Sequence, residues 1–287
     1  MVGVSRVLIP GFLTGIVLFS MATHASDNSD TSSVHKGQTQ PSGEHSDEHP
    51  ISQKSPASIH IDGDTLYYSG NISEVSWDSF QAVTAGLQPG SLTRLVINSS
   101  GGDTVYGRKM GRWVKDNITI LEVQGGCFSS CANYIFPAAK IKRIQESAFV
   151  GWHGSESQFD VLAMSAPDKT GEDILQEEVR QAMLMAMPEL EGNPTLDEEV
   201  ARELARSRQS QKDEHKFFEE LGINSQFTIY GLLPEHLSAF EASGKRGWGF
   251  TIEDMKKLGL GEVQYLSDSV YHQSIYFQRY LQLIPVK

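Results

Sequence analysis

From residue 57 onward, short apolar runs of strand type recur along the chain. Two of them, Ser58–Ile61 and Thr65–Tyr68, flank Asp62-Gly63, a pair that suits a two-residue hairpin turn because glycine tolerates positive φ. Two more follow at Thr93–Asn98 and Asn117–Val123. The pattern therefore predicts a hairpin followed by separate short strands.

Segments with apolar residues at helical spacing lie between these strands. One runs from Trp77 to Leu87 and another from Thr104 to Lys115. Short strands that alternate with helices predict a mainly parallel sheet. Ligands of such sheets bind at the carboxyl ends of the strands, where the loops and the helix N-termini meet. Two glycine pairs, Gly101-Gly102 and Gly125-Gly126, are predicted to lie at such ends, which indicates a site there.

The chain after His153 has a different character. Residues from about 155 to 245 are predicted to form a long, mostly helical insertion. Its second helix is highly charged, opens with a capping box at Thr195 and reaches about Phe218. A helix that polar usually spans solvent or docks on a partner. The domain resumes at Gly249, with a helix and then a strand at Glu262–Leu266, and the last twenty residues are left without a prediction.

The first 56 residues are predicted to lie outside the folded domain. Residues 1–25 have the layout of a signal peptide cleaved after Ala25, and the polar tract 26–56 is predicted to be a disordered linker. An uncleaved anchor is the alternative, but the apolar run is shorter than the roughly 20 residues that a bilayer requires. We therefore predict an exported protein, periplasmic or secreted, with one α/β domain over 57–287.

Charge and cysteine content narrow the function. The chain has 36 acidic and 24 basic residues and a formal net charge of −12, which argues against a nucleic-acid partner. Cys127 and Cys131 are its only cysteines. Export would place them in an oxidising compartment where a bridge persists. The sequence leaves both a disulfide and two small buried thiols open.

Candidate catalytic groups are concentrated between Leu95 and His153. Ser130 is predicted to open a helix, where unpaired amides and the helix dipole surround its oxygen. The N–H groups of Cys131 and Gly102 would then donate to an oxyanion. His153 ends an apolar strand nearby and would act as the base in its neutral form. Together these residues indicate nucleophilic acyl transfer.

The order of three motifs, INSSGGDTVYG, CFSSCANYIFPAAKIKR and AFVGWHG, resembles the proteolytic subunit family of the Clp proteases, in the crotonase-like superfamily. LYYSGNI and GFTIEDMKKLGLGEV are similar to that family's first strand and its closing segment. The resemblance implies a crotonase/ClpP-like α/β fold, with a mainly parallel sheet of ββα units. It also implies Ser130 as the nucleophile, His153 as the base, and the amides of Gly102 and Cys131 as the oxyanion hole, with Ser129 pointing elsewhere. The C-x-S-S-C form is closer still to exported ClpP-like proteins.

The resemblance fails at the third catalytic residue. The family places an aspartate just before its closing segment, where this chain has residues 245–249, KRGWG. Asp254, Glu253 or Asp160 could take its place, or the site could be a dyad. The insertion is also much longer than the family's handle segment, so the family's ring cannot be assumed and a homo-oligomer stays open.

Two functions of different classes follow. The first is an exported ClpP-like serine peptidase that acts on peptides or unfolded protein, without an ATP-dependent unfoldase, a cofactor or a metal. The alternative is a catalytically degenerate ClpP-fold module that uses the insertion for binding or assembly. A variant acting on acyl-CoA thioesters ranks third.

Overall fold

The computed structural model describes residues 57–88 and 90–287. The predicted signal peptide at 1–25 and the predicted linker at 26–56 lie outside the described residues. Within the described part, no helix is both long and apolar enough to cross a bilayer.

The described strands follow the apolar runs of the sequence and form a mainly parallel sheet. Their bounds are β1 Ser58–Asp62, β2 Thr65–Ser69, β3 Arg94–Ser99, β4 Ile120–Phe128, β5 Ile141–Gln145, β6 Phe149–Gly151, β7 Gly247–Gly249, β8 Glu262–Leu266 and β9 Leu281–Leu283. Seven strands make one sheet in the order β1-β2-β3-β4-β5-β8, and β6 pairs with β4 off this path. Only β1 and β2 pair antiparallel in it. The predicted hairpin and the predicted α/β fold class are confirmed.

The helices lie between the strands and in the predicted insertion. Their bounds are α1 Glu74–Thr84, α2 Thr104–Asn117, α3 Gln158–Ala163, α4 Gly171–Ala186, α5 Thr195–Leu221, α6 Pro234–Ser243, α7 Ile252–Lys257 and α8 Ile275–Tyr280. A short π-helical segment, Cys131–Ile135, follows β4. Helix α2 begins where Asp103 accepts the N–H of Val105 at 2.7 Å, so it starts directly after the first glycine pair.

Strand β4 is longer than predicted, so the prediction that Gly125-Gly126 lies at its carboxyl end is wrong. Both glycines lie inside the strand, and Gly125 has φ 91°. A Cβ on Gly125 would lie 2.9 Å from Oδ1 of Asn98, so glycine is needed at this irregularity. The first half of β4 pairs with β5, and its last residues pair with β6. The irregularity therefore brings the end of β4 beside the strand that leads to His153.

The helical insertion is confirmed, but two details differ from the prediction. Helix α5 has Pro194 at its N-cap, and the hydroxyl of Thr195 donates instead to Asn193 Oδ1 at 2.9 Å, so the predicted capping box is wrong. The helix also packs on its own domain. Its first half shares a small core with α4, and its second half adds Phe217 and Phe218 to the main core.

The C-terminal residues, for which the sequence made no prediction, fasten the end of the chain to the strand that leads to His153. Strand β9 pairs with β7 in a small parallel sheet. Trp248 of β7 exchanges two backbone hydrogen bonds with Trp152, at 2.7 and 2.9 Å. These contacts hold the His153 strand from the side opposite to β4.

Candidate active site

A cleft of about 510 Å³ opens at the carboxyl ends of β3, β4 and β6. Residues just after these strands form one wall: the loop from Ser100 to Thr104, the turn at Ser129, and the loop that begins at His153. Helix α5 forms the facing wall with Glu203, Arg206, Ser207 and Ser210. The insertion thus completes a site that the sheet begins.

Ser129 occupies the turn between β4 and the π-helical segment in a left-handed conformation. Its φ is 56°, and it is the only non-glycine residue with positive φ in the described part of the chain. Such a backbone costs about 1–3 kcal/mol and persists where the surrounding structure enforces it. Here the Ser129 N–H donates to Gly151 O at 3.1 Å, and Ser129 O accepts the N–H of Asn133 at 2.8 Å. The turn directs the Ser129 hydroxyl to Nε2 of His153, 2.8 Å away.

Ser130 does not contact His153. Its hydroxyl donates to Gly102 O at 2.6 Å, and the residue is only 1% exposed. The predicted geometry, with Ser130 beside the base and Ser129 directed elsewhere, is therefore wrong by one residue. The reason is the left-handed turn, which presents the side chain of Ser129 toward the base. Ser130 has a right-handed φ of −57° and turns back beneath the loop of Gly102.

His153 is set up to accept a proton. Its ring stacks on Phe128 with 5.0 Å between the ring centroids. Burial lowers the pKa of His153 to about 4, against the opposing effect of a hydrogen bond to its own backbone. The imidazole is therefore neutral at pH 7. Nε2 accepts from Ser129 when the ring proton is on Nδ1.

None of the three acids proposed for the third position contacts His153. Asp254 accepts from Lys257 Nζ at 2.9 Å, at the start of α7. Asp160 lies against Gly171, and Glu253 is exposed. Across the described residues, no carboxylate is within hydrogen-bond distance of His153. The structure therefore shows a serine–histidine pair without an orienting acid.

Two main-chain N–H groups, those of Gly102 and Ser130, belong to residues that line the cleft beside Ser129. Ser130 precedes the π-helical segment, so its N–H has no helical acceptor, and neither it nor the N–H of Gly102 donates to an acceptor within the described residues. The glycine pair allows this approach, because a Cβ on Gly101 would lie 2.7 Å from Ser129 Cβ. Gly102 keeps its predicted place in the site. Cys131, the other predicted donor, is fully buried and does not line the cleft, whereas Ser130 does.

Asn133 joins the serine turn to the histidine loop, and the sequence analysis missed it. Besides its backbone bond to Ser129, its Nδ2 donates to Gly154 O at 2.9 Å. One residue thus fixes the turn of the hydroxyl relative to the loop of the imidazole. A polar residue inside the apolar run CANYIF was the available signal, since a buried amide needs partners.

Cys127 and Cys131 are joined by a disulfide and are fully buried. Of the two alternatives that the sequence left open, the structure shows the bridge. It links the end of β4 to the π-helical segment across the turn that holds Ser129 and Ser130.

Helix α5 is anchored above the site by buried charges that the sequence analysis did not identify. Glu214 is fully buried and accepts from the Tyr134 hydroxyl at 2.7 Å and from Ser157 Oγ at 2.9 Å. Burial raises the pKa of the Glu214 carboxyl. Arg108, on α2, is 1% exposed and donates to Asp213 at 2.8 Å. Helix α5 is therefore bonded to α2, to the π-helical segment and to the loop that follows His153.

The described residues include no cluster of three or more histidine, cysteine, aspartate or glutamate side chains that could hold a metal.

No protein-family model matches the chain, and no curated protein matches it either.

Several solved structures are similar to this chain over part of its length. A ClpP1 mutant from Listeria monocytogenes is 16% identical, with a TM-score of 0.28, over 42% of this chain and 72% of that one. A methylmalonyl-CoA decarboxylase is 11% identical, with a TM-score of 0.29, over 65% and 95%. An enoyl-CoA hydratase from Mycobacterium avium subsp. paratuberculosis K-10 is 11% identical, with a TM-score of 0.30, over 67% and 97%. These ClpP and crotonase folds share the α/β class, but at TM-scores below 0.5 they carry no argument about activity.

Proposed function

We propose that this protein is a serine hydrolase, and specifically a peptidase, in which Ser129 is the nucleophile and His153 is the general base. One observation carries the proposal: the 2.8 Å contact between Ser129 Oγ and His153 Nε2, at a serine held in a left-handed turn. A nucleophilic serine needs a base within hydrogen-bond reach, and a strained turn after a strand exposes its oxygen.

The proposed reaction uses this chain's own groups. As Ser129 Oγ attacks a carbonyl carbon, its proton passes to His153 Nε2, and the N–H groups of Ser130 and Gly102 stabilise the oxyanion. His153 then protonates the leaving amine, and a water molecule activated by the same imidazole releases the acyl group. Each oxyanion donor of this kind contributes about 100- to 1,000-fold to kcat.

The cleft suits a segment of peptide. Phe128, Phe159 and Leu175 provide apolar contacts, and α5 provides a polar wall. We therefore propose peptides or unfolded protein as the substrate, reached without an ATP-dependent unfoldase. Export to the periplasm or outside the cell, and assembly into a homo-oligomer, are further proposals that follow from the N-terminal sequence and from the family resemblance.

The adjacent serines provide a matched test. Ser129→Ala should lower peptide or activated-ester hydrolysis by at least about 1,000-fold, because the attacking oxygen is lost. Ser130→Ala removes one hydrogen bond, to Gly102 O, which is worth about 1 kcal/mol, so activity should fall by less than about tenfold. Steady-state kinetics on both purified variants, with circular dichroism to verify folding, measure this difference. The opposite ranking would assign the chemistry to Ser130 and end the proposal.

The missing acid favours a second candidate, a catalytically degenerate binding module. In serine proteases, loss of the orienting acid costs about 10,000-fold. The discriminating measurement is hydrolysis by the unmodified protein. If its rate does not exceed that of the Ser129→Ala variant, the binding module is the better description.

A further inference from the structure

The charges of the cleft bear on its substrate. Five charged side chains line it: Asp103, Glu156, Glu203, Arg206 and Arg246. The chain as a whole has a formal net charge of −12, so an anionic ligand is attracted only where the cleft itself offers a cation. Which of the five are already paired therefore decides what the cleft can bind.

The carboxylates are occupied by protein donors. Asp103 caps α2 and accepts the N–H of Val105 at 2.7 Å. Glu156 accepts the hydroxyl of Thr104 at 2.6 Å. Glu203 is only 3% exposed and lies 3.1 Å from a nitrogen of Arg206. Glu203 and Glu156 also lie near arginines, Arg206 and Arg108, whereas Asp103 is held by hydrogen bonds alone.

The two arginines differ. Arg206 is neutralised by Glu203, whereas no carboxylate of the described residues pairs with Arg246. Arg246 is held in another way: its N–H donates to Tyr280 O at 3.0 Å, and its guanidinium lies 5.6 Å from the centroid of the Tyr280 ring. Arg246 thus places a guanidinium that has no carboxylate partner in the described residues at the lining of the cleft.

Arg246 also has a fixed position relative to the base. It stands two residues before Trp248, which is bonded to Trp152 in an antiparallel bridge, and His153 follows Trp152 directly. The approach is close, because a Cβ on Gly247 would lie 2.2 Å from Trp152 O. The unpaired guanidinium is therefore tied to the strand that presents the imidazole.

We infer that Arg246 binds a carboxylate of the substrate, either the free C-terminus of a peptide or an acidic side chain near it. This inference rests on the proposed function, since it names the substrate class of the same site. A guanidinium and a carboxylate form two parallel charge-assisted hydrogen bonds, which fix orientation as well as affinity. The Arg246 side chain is exposed, so added salt should weaken the effect.

Binding to the inactive Ser129→Ala protein tests the inference apart from turnover. Three N-acetylated alanine tetrapeptides would be titrated by calorimetry at low salt: one with a free C-terminus, one with a C-terminal amide, and one amide with glutamate as its last residue. Either the peptide with a free C-terminus or the amide that ends in glutamate should bind about tenfold more tightly than the neutral amide. Whichever of the two binds better identifies the source of the carboxylate.

Substitutions at the two arginines beside Tyr280 complete the test. In Ser129→Ala/Arg246→Gln the preference should vanish, and in Ser129→Ala/Arg246→Lys part of it should remain. Arg279 is the matched control, because it lies over the same ring at 5.4 Å but does not line the cleft, so Ser129→Ala/Arg279→Gln should keep the preference. Equal binding of the three peptides, no binding of any, or a preference that survives Arg246→Gln would overturn the inference.

The outcomes for the inference and for the proposed function are distinguishable. Peptides that bind with the Arg246-dependent preference but are not hydrolysed by the unmodified protein would support the inference and contradict the peptidase. Peptides that are hydrolysed through Ser129 but bind with no such preference would support the peptidase and contradict the inference.

Discussion

The two walls of the cleft are built by different forces. The bonds that join the sheet wall all have backbone acceptors: the Ser129 N–H donates to Gly151 O, the Ser130 hydroxyl to Gly102 O, and Asn133 Nδ2 to Gly154 O. The α5 wall is held by ionised and hydroxyl side chains, in which Arg108 and Glu214 are buried. Backbone contacts fix atoms to within the precision that proton transfer needs, whereas side-chain contacts allow the facing wall to vary in charge. The sheet wall therefore suits chemistry, and the charged side chains around it, on α5 and at Arg246, suit recognition.

The helical wall should be the more costly to break by a single substitution. Arg108→Ala leaves Asp213 without its 2.8 Å partner and Glu156 without a nearby cation. Because Asp213 is part-exposed and keeps Arg112 at 3.0 Å, the loss should be that of a charge-assisted hydrogen bond, about 1.5–3 kcal/mol of unfolding free energy. Urea denaturation measures the loss. Arg180→Ala, which breaks an exposed pair with Asp197 in the same insertion, is the control and should cost less than about 1 kcal/mol. Equal losses in the two variants would contradict the anchoring role.

The sheet wall should respond to pH through His153. Burial lowers the pKa of His153 to about 4 from the usual 6.5, so its base form persists at moderately acid pH. At pH 5 about 90% of the imidazole should be neutral, against about 3% for an ordinary histidine, and kcat/KM should fall only near pH 4. A pH–rate profile measures this. Since the unfolded chain binds the proton more readily, stability that is present above pH 6.5 is lost as pH falls toward 4. A limb near pH 6.5 would contradict the buried, acid-free base.

The left-handed turn at Ser129 predicts a smaller difference in stability, in this case between two substitutions of the same residue. Ser129→Gly and Ser129→Ala both remove the hydroxyl, but only glycine adopts φ 56° without a steric cost. The glycine variant should be about 1 kcal/mol more stable than the alanine variant, and both should be inactive. Denaturation of the two proteins side by side measures this. A more stable alanine variant would mean that the turn is unstrained.

The sequence predicted the fold class, the hairpin, the helical insertion and the pairing of a serine turn with His153, because apolar spacing and glycine placement report local structure directly. It could not separate Ser129 from Ser130. Both stand between the same two cysteines, and only the backbone conformation of Ser129 decides which oxygen meets the ring. The irregularity at Gly125 was missed for a related reason: a glycine pair is typical of both a turn and a bulge.

The sequence could not show which charged side chains of α5 are buried, because a long charged helix is typical of a solvent-exposed one unless its partners are known. Glu214 meets Tyr134 and Ser157, which are 80 and 57 residues away along the chain. In the sequence, Arg246 drew attention only because residues 245–249 lack the aspartate that the resembled family has there. Its guanidinium lies near the ring of Tyr280, in a segment for which the sequence made no prediction.

The most direct test of the central claim is the position of a covalent adduct. The purified protein would be treated with a fluorophosphonate, digested, and mapped by tandem mass spectrometry across the turn between Cys127 and Cys131. We expect one adduct on Ser129, which is lost in His153→Gln and retained in Ser130→Ala. An adduct on Ser130, or no adduct on the folded protein, would contradict it.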